Sequence, residues 1–302
     1  PCPAAILGTH GQPVVQNIAI FDMSNPKPGW YSKLAMPAAA PSVRPKPGFP
    51  AKMPGMAGAV DQKKTAPGAA EKNQAIAYSS PFVPSVGVGQ DSAAFRTAMV
   101  NRLRSQGIDH DAVLQAMNEV ERHRFVDSAL GNQAYEETSL PIGLGQTISK
   151  PSVVARMLAL LCHNQALPMR RGLGIGTGCG YHAAVLRRLC VEVYSMERLK
   201  GLNEKAQTLL RPFRIPNVHL LLGDGMLGFP SGAPYAGIIA AAGGDAIPSA
   251  WTDQLAVGGR LVAPTRLGQS TQSLVVIDTT PTGLVQTVLE AVQFVPLKSG
   301  IG

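Results

Sequence analysis

Apolar residues Phe95, Met99, Val100 and Leu103 recur at helical spacing between about residues 92 and 106, and Gly107 ends the run. Asp109 is a suitable N-cap for a second helix carrying Val113, Leu114, Met117 and Val120. Residues 131–150 combine many polar groups with little periodicity, which predicts a loop. Ser149-Lys150-Pro151 then opens a third helix, with the serine as cap and the proline in the first turn, where its missing N–H is tolerated. From Leu173 the period changes. Short β-prone runs at 173–175, 191–196, 218–222 and 237–240 alternate with helical stretches at 181–189, 202–210 and 249–255. That alternation predicts parallel βαβ units with right-handed crossovers. A turn at Gly258-Gly259 leads into a fifth strand, and Pro281-Thr282-Gly283 separates two further strands, 273–278 and 284–294, as a hairpin. The sheet is therefore expected to be parallel in its first half and antiparallel at its far edge.

Three of these strands end on chemistry. The first runs into Gly174-Ile175-Gly176-Thr177-Gly178-Cys179-Gly180, the second ends at Glu197 and the third at Asp224. In an open α/β sheet, ligands bind outside the carboxyl ends of the strands. Glycines let the main chain approach a ligand closely, one acid can accept ribose hydroxyls and the other a base amine. A dinucleotide fingerprint would need glycine at Cys179 or Tyr181, so a nucleoside without a pyrophosphate fits better. Either acid alone could be an ordinary strand-end residue; their succession favours a ligand site. His182 reads as a first-turn surface residue rather than a base, and Cys179 as packing rather than a reactive thiol.

Composition divides the 302 residues in two. Residues 1–92 hold 14 of the 25 prolines, and stretches such as Pro45-Lys46-Pro47-Gly48-Phe49-Pro50 sustain neither a helix nor a central strand. They read as a disordered Pro/Ala/Gly-rich extension, leaving 93–302 as one well-buried domain. The net charge of +8 is shared evenly, with 8 Lys/Arg against 4 Asp/Glu in the extension and 19 against 15 in the remainder. No Lys/Arg stripe stands out, so no specific nucleic-acid partner is expected, and the Arg170-Arg171 doublet reads as a solvated loop before the first strand. The four cysteines form no C-x-x-C pair or metal-like spacing, which predicts no metal site and a reducing, cytoplasmic setting. No run reaches the 18 apolar residues of a membrane span, and the first twenty residues lack a signal-peptide pattern.

From about Met99 to Leu297 the chain resembles the protein-L-isoaspartate O-methyltransferase family of class I S-adenosylmethionine-dependent enzymes. The most specific segment is Leu140-Pro141-Ile142-Gly143-Leu144-Gly145-Gln146-Thr147-Ile148-Ser149-Lys150-Pro151. Ile175 to Tyr181, Val193 to Arg198, Gly223-Asp224-Gly225 and Phe294-Val295-Pro296-Leu297 match in order. The resemblance implies a Rossmann-like, doubly wound, seven-stranded mixed α/β sheet with an N-terminal helical cap. It implies S-adenosyl-L-methionine as cofactor, held by Gly176, Thr177, Gly178 and Cys179, by Glu197 and Arg198 at the ribose, and by Asp224 and Gly225 at the adenine. Gln146, Thr147 and Ile148 would close over the reacting centre. Ser149 matches the active-site serine, and Val295, Pro296 and Leu297 would hold the substrate backbone. The implied activity is methylation of isoaspartyl carboxylates in damaged peptides and proteins by a monomer, with the ester then closing spontaneously to a succinimide.

Several positions depart from the family pattern. Gly174 stands where the family carries an acid that helps hold the cofactor's ammonium group. Ala236 replaces an aspartate, Ala241 a threonine, Gln293 an arginine and Glu121 a proline. These changes leave open an alternative, a catalytically weakened homologue that binds peptide or cofactor as an interaction protein.

Overall fold

The computed structural model describes residues 15–17, 92–266 and 271–302. Apart from a strand at Val15–Asn17 (β1), the proposed extension lies outside the described residues. Helices α1 (Ser92–Ser105) and α2 (Asp111–Glu119) lead to two strands, β2 (Leu140–Gly143) and β3 (Gln146–Ile148), and then to α3 (Pro151–Cys162). The βαβ portion follows as β4 (Met169–Ile175), α4 (Tyr181–Leu186), β5 (Cys190–Glu197), α5 (Lys200–Leu210), β6 (Val218–Leu222) and β7 (Tyr235–Ala240). It closes with α6 (Ser249–Asp253), β8 (Leu255–Arg266), β9 (Gln272–Thr280) and β10 (Gly283–Val292).

The main sheet has the order β1-β10-β9-β8-β7-β4-β5-β6. Strands β4 to β8 pair in parallel, and β8–β9 and β9–β10 pair antiparallel, as the pattern of short strands followed by a hairpin requires. The seven expected strands are joined by β1, which adds in parallel to β10 with Val15 opposite Val285. Strand order reverses at β4, which puts the crevice for a ligand above Ile175 and Glu197, the ends of β4 and β5.

Apolar side chains fill both faces. One layer joins α1–α5 to the sheet through residues such as Met99, Leu114, Phe125, Met157, Leu158 and Tyr181. The other packs Trp251, Tyr235, Leu173, Ile238, Leu261 and Val275. Arg260 and Asp278, directly opposite across β8 and β9, form a buried two-point ion pair at 2.6 and 3.0 Å, and Arg260 also donates to the Leu160 carbonyl. No described helix is long and apolar enough to cross a membrane.

Five local expectations are corrected. Residues 140–148 are not an unstructured loop but the β2–β3 hairpin, with Leu140 opposite Ile148. Its two turn residues, Leu144 and Gly145, both have positive φ (52° and 68°), as a tight hairpin turn demands. The N-cap of α2 is His110, not Asp109, and that of α3 is Lys150, not Ser149; neither makes a side-chain capping bond. Arg170 and Arg171 lie within β4, where Arg171 pairs with Glu192 at 3.1 Å on the adjacent strand. Gly258-Gly259 lies inside β8 rather than before it, at a register shift against β7.

Candidate active site

The β4–α4 turn is a backbone cradle. Gly176, Gly178 and Gly180 hold φ of 83°, 56° and 93°, a conformation that favours glycine. The N–H groups of Gly176 and Thr177 both donate to the Met196 carbonyl at 2.9 and 3.2 Å, so the turn is tied to the neighbouring strand. Glu197, nearly fully buried, accepts from Gly178 N–H through Oε2 and from Leu199 N–H through Oε1, both at 2.9 Å. Each carboxylate oxygen keeps lone-pair capacity for a diol. Beneath the turn, the hydroxyls of Thr177 and Ser195 are paired at 2.8 Å.

A cavity of about 290 Å³ opens above this cradle. It is lined by Gln146, Thr147, Ile148 and Ser149 on one side and by Gly176, Thr177, Gly178 and Cys179 below. Glu197, Arg198 and Gly225, with Val295, Pro296 and Leu297, complete the wall. Every site residue expected from the sequence is therefore brought to one cavity, with a single exception. Asp224 is not on its wall: Oδ1 accepts from Met226 N–H at 2.9 Å and Oδ2 from Gly300 N–H at 2.7 Å. Gly225 has no room for a side chain, since a Cβ there would lie 2.7 Å from Ile175 Cγ2, and Trp251 Nε1 fixes its carbonyl at 2.8 Å.

The hairpin forms the roof. Lys205 Nζ holds the Ile142 carbonyl at 2.8 Å, and Leu144 rests on α5, where a Cβ on Gly201 would meet its Cδ1 at 3.2 Å. A second cavity of about 490 Å³ shares Thr147, Ser149, Ala241 and Val295 with the first and extends to Ser139, Lys150, Ser152, Glu290, Gln293 and Phe294. Ser149 is thus on the wall between two chambers. Because Lys150 takes the cap position, the Ser149 hydroxyl is not spent on the helix, and it makes no hydrogen bond to another described residue.

Segment 294–297 is gripped from both sides. Gln272 accepts from Phe294 N–H at 2.8 Å and donates to its carbonyl at 3.3 Å, while Gly243 exchanges backbone bonds with Val295 and Leu297, each at 2.9 Å. A Cβ on Gly243 would fall 2.6 Å from the Gln272 amide, so the glycine makes room for that clamp. Gln272 carried no signal in the sequence, since its partner lies across the sheet.

His182 corrects its expected surface placement. It lines the first cavity, its Nε2 is buried without a hydrogen-bond partner, and burial together with the nearby Arg122 guanidinium pulls its pKa down to about 4. The imidazole is neutral at physiological pH. Burial likewise raises the Cys179 thiol, which stays protonated and serves as packing. At Gly174 the absent side chain would have met the Ser195 Oγ at 3.4 Å, an ordinary contact. Ala241 packs on Gly176, whose Cβ would lie 3.6 Å from the alanine's own.

Residues 94–302 match the family described as protein-L-isoaspartate(D-aspartate) O-methyltransferase. A protein-L-isoaspartate O-methyltransferase of Leptothrix cholodnii is 58% identical over 217 residues, covering 71% of this chain and 77% of that protein. One from Dechloromonas aromatica is 50% identical over 214 residues, covering 71% and 98%. A solved structure of that name superposes with a TM-score of 0.62 at 28% identity, covering 68% of this chain and 67% of the other. A Plasmodium falciparum structure in complex with S-adenosyl-L-homocysteine gives 0.60 at 24% identity over 67% and 98%, a likeness of fold.

Proposed function

This chain belongs to the protein-L-isoaspartate(D-aspartate) O-methyltransferase family, and from that premise we propose that it methylates the free carboxylate of L-isoaspartyl residues in damaged proteins. The observation that carries this reading is the meeting of two cavities at Ser149: one floored by the glycine cradle, the other lined by residues 290–295. A group-transfer enzyme needs two substrates to face each other across a short gap.

The residues present suit S-adenosyl-L-methionine. Glu197, held by two backbone N–H groups, would take the ribose hydroxyls, and Gly176 and Gly178 would pass beneath the methionine portion. Gly225, on the cavity wall, would stand at the adenine end, with Asp224 behind it. When bound, the cofactor supplies an electrophilic methyl group on a sulfonium.

The acceptor carboxylate is ionised at neutral pH, so the chain has no proton to remove before transfer. What it must do is align the acceptor and exclude water. Ser149 donates a hydrogen bond that orients the carboxylate oxygen. Thr147 and Ile148 cover the reacting centre, and Val295 to Leu297, fixed by Gln272 and Gly243, present backbone groups to the peptide. A neutral His182 adds no positive charge beside a cationic cofactor.

The protein works in the cytoplasm, a placement supported by three free, buried cysteines among the described residues. No observation favours the alternative of a binding-only homologue.

The test is incubation with radiolabelled S-adenosyl-L-methionine and paired peptides that differ only in aspartyl or isoaspartyl linkage. Base-labile methyl ester is expected on the isoaspartyl peptide alone. Equal labelling of both peptides, or none, would refute the assignment.

A further inference from the structure

Arg122 is fully buried, yet no carboxylate among the described residues lies within ion-pair distance of it. Lys and Arg are almost never fully buried unless paired, because burying a charge is costly. Its guanidinium donates to the Ala134 carbonyl through Nε and to the Ser149 carbonyl through Nη2, both at 2.7 Å. Its Cζ sits 4.9 Å from the ring centroid of Tyr181, the first residue of α4 after the glycine cradle. Nη1 has no partner. Glu137, whose charge reaches it weakly, is itself engaged by Ser152 and Lys150. The charge persists, because a guanidinium is not deprotonated in proteins even where burial lowers its pKa, as it does here.

A buried cation one residue behind the acceptor wall is a fixed positive potential at the place where an anionic substrate arrives. We propose that Arg122 is a positioning and specificity residue: it fixes Ser149 through the serine's backbone carbonyl, and its uncompensated charge makes the acceptor chamber select a carboxylate over a neutral group. This rests on the reading that Ser149 faces the isoaspartyl carboxylate. It also gives the reaction a direction of release, since the methyl ester formed is neutral and loses the attraction that drew the substrate in. Ser149, whose carbonyl Arg122 holds, lines both cavities, and Tyr181 beside the guanidinium lines the first, so cofactor affinity is read alongside carboxylate preference.

The experiment compares wild type, Arg122→Met and Arg122→Lys, each checked by thermal unfolding. The readouts are kcat and KM for an isoaspartyl peptide, the Ki of the same peptide with its free carboxylate converted to an amide, and calorimetric S-adenosyl-L-homocysteine affinity. Wild type should prefer carboxylate over amide by about ten-fold or more, a difference of about 1.4 kcal/mol. Arg122→Met should collapse that preference to within about two-fold and lower kcat, with cofactor affinity within about three-fold. Arg122→Lys loses the two-point grip, so kcat should fall about five-fold or more whether the buried amine is charged or neutral. If the methionine variant does not fold, the lysine variant decides: undiminished kcat overturns the proposal. So does a methionine variant that keeps the preference, or one in which preference and cofactor affinity fall together. Absence of transfer by wild type overturns the isoaspartyl reading as well; transfer with an unchanged preference in Arg122→Met overturns this inference alone.

Discussion

The cradle half and the acceptor half of this site are built by different means. In the cradle half the determinants are made of backbone: a glycine turn tied to Met196, and one acid, Glu197, fixed by two N–H groups from the turns flanking it. In the acceptor half the determinants are joined by long side chains: Arg122 holds the Ser149 carbonyl and Gln272 the main chain of Phe294. Backbone preorganisation suits a cofactor of constant shape, whereas an acceptor that is a different peptide each time needs only its carboxylate and main chain fixed. The two halves should therefore fail separately.

The largest separation is expected from Glu197→Ala. It removes the acceptor of two buried N–H groups along with the ribose contact, and hydrogen bonds to charged groups are worth about 1.5–3 kcal/mol each. Cofactor affinity should fall about a hundred-fold or more by calorimetry, with isoaspartyl KM unchanged once cofactor saturates.

A second effect, about 3 kcal/mol, is thermodynamic and belongs to the cradle half. His182 has a folded-state pKa near 4 against an ordinary value of 6.5, so between those values the unfolded chain binds more protons. Stability is then fully present above pH 6.5 and is lost as pH falls toward 4. Denaturant titrations across that range should show the loss in wild type and a flatter profile in His182→Gln; identical profiles would remove His182 from the account.

Ser149→Ala is the counterpart in the acceptor half. Loss of one hydrogen bond to a carboxylate should lower kcat about 10- to 100-fold, while cofactor affinity stays within about two-fold. The smallest effect sharpens the comparison by improving one half. Gly174→Glu places an acid where an added Cβ would make an ordinary 3.4 Å contact with Ser195 Oγ, and cofactor affinity should tighten by about ten-fold or less. Unchanged or weaker affinity would show that the cradle has no use for that carboxylate.

The same asymmetry explains what the sequence revealed. The cradle was legible because glycines, Glu197 and Asp224 follow successive strands, and strand ends are set by local patterning. Even the switch to antiparallel pairing could be read, from the Pro281-Thr282-Gly283 hairpin. The β2–β3 hairpin was missed because it has only six paired residues and turns on Leu144-Gly145 instead of an Asn-Gly signal. Ser149 read as a helix cap by residue type alone, and only the geometry shows Lys150 in that position. His182 read as exposed because the first turn of a helix usually is; here it faces a cavity roofed by a hairpin that sequence pattern did not reveal. Arg122 and Gln272 gave no signal, since the partners that define them are backbone groups of distant segments.

The most direct test is a crossed measurement on Glu197→Ala and Ser149→Ala: calorimetric affinity for S-adenosyl-L-homocysteine, and kcat and KM for the isoaspartyl peptide at saturating cofactor. The account predicts that the first variant loses cofactor affinity with isoaspartyl KM intact, and that the second loses turnover with cofactor affinity intact. If both variants lower both quantities together, the site is one cooperative unit and the division into two halves is wrong.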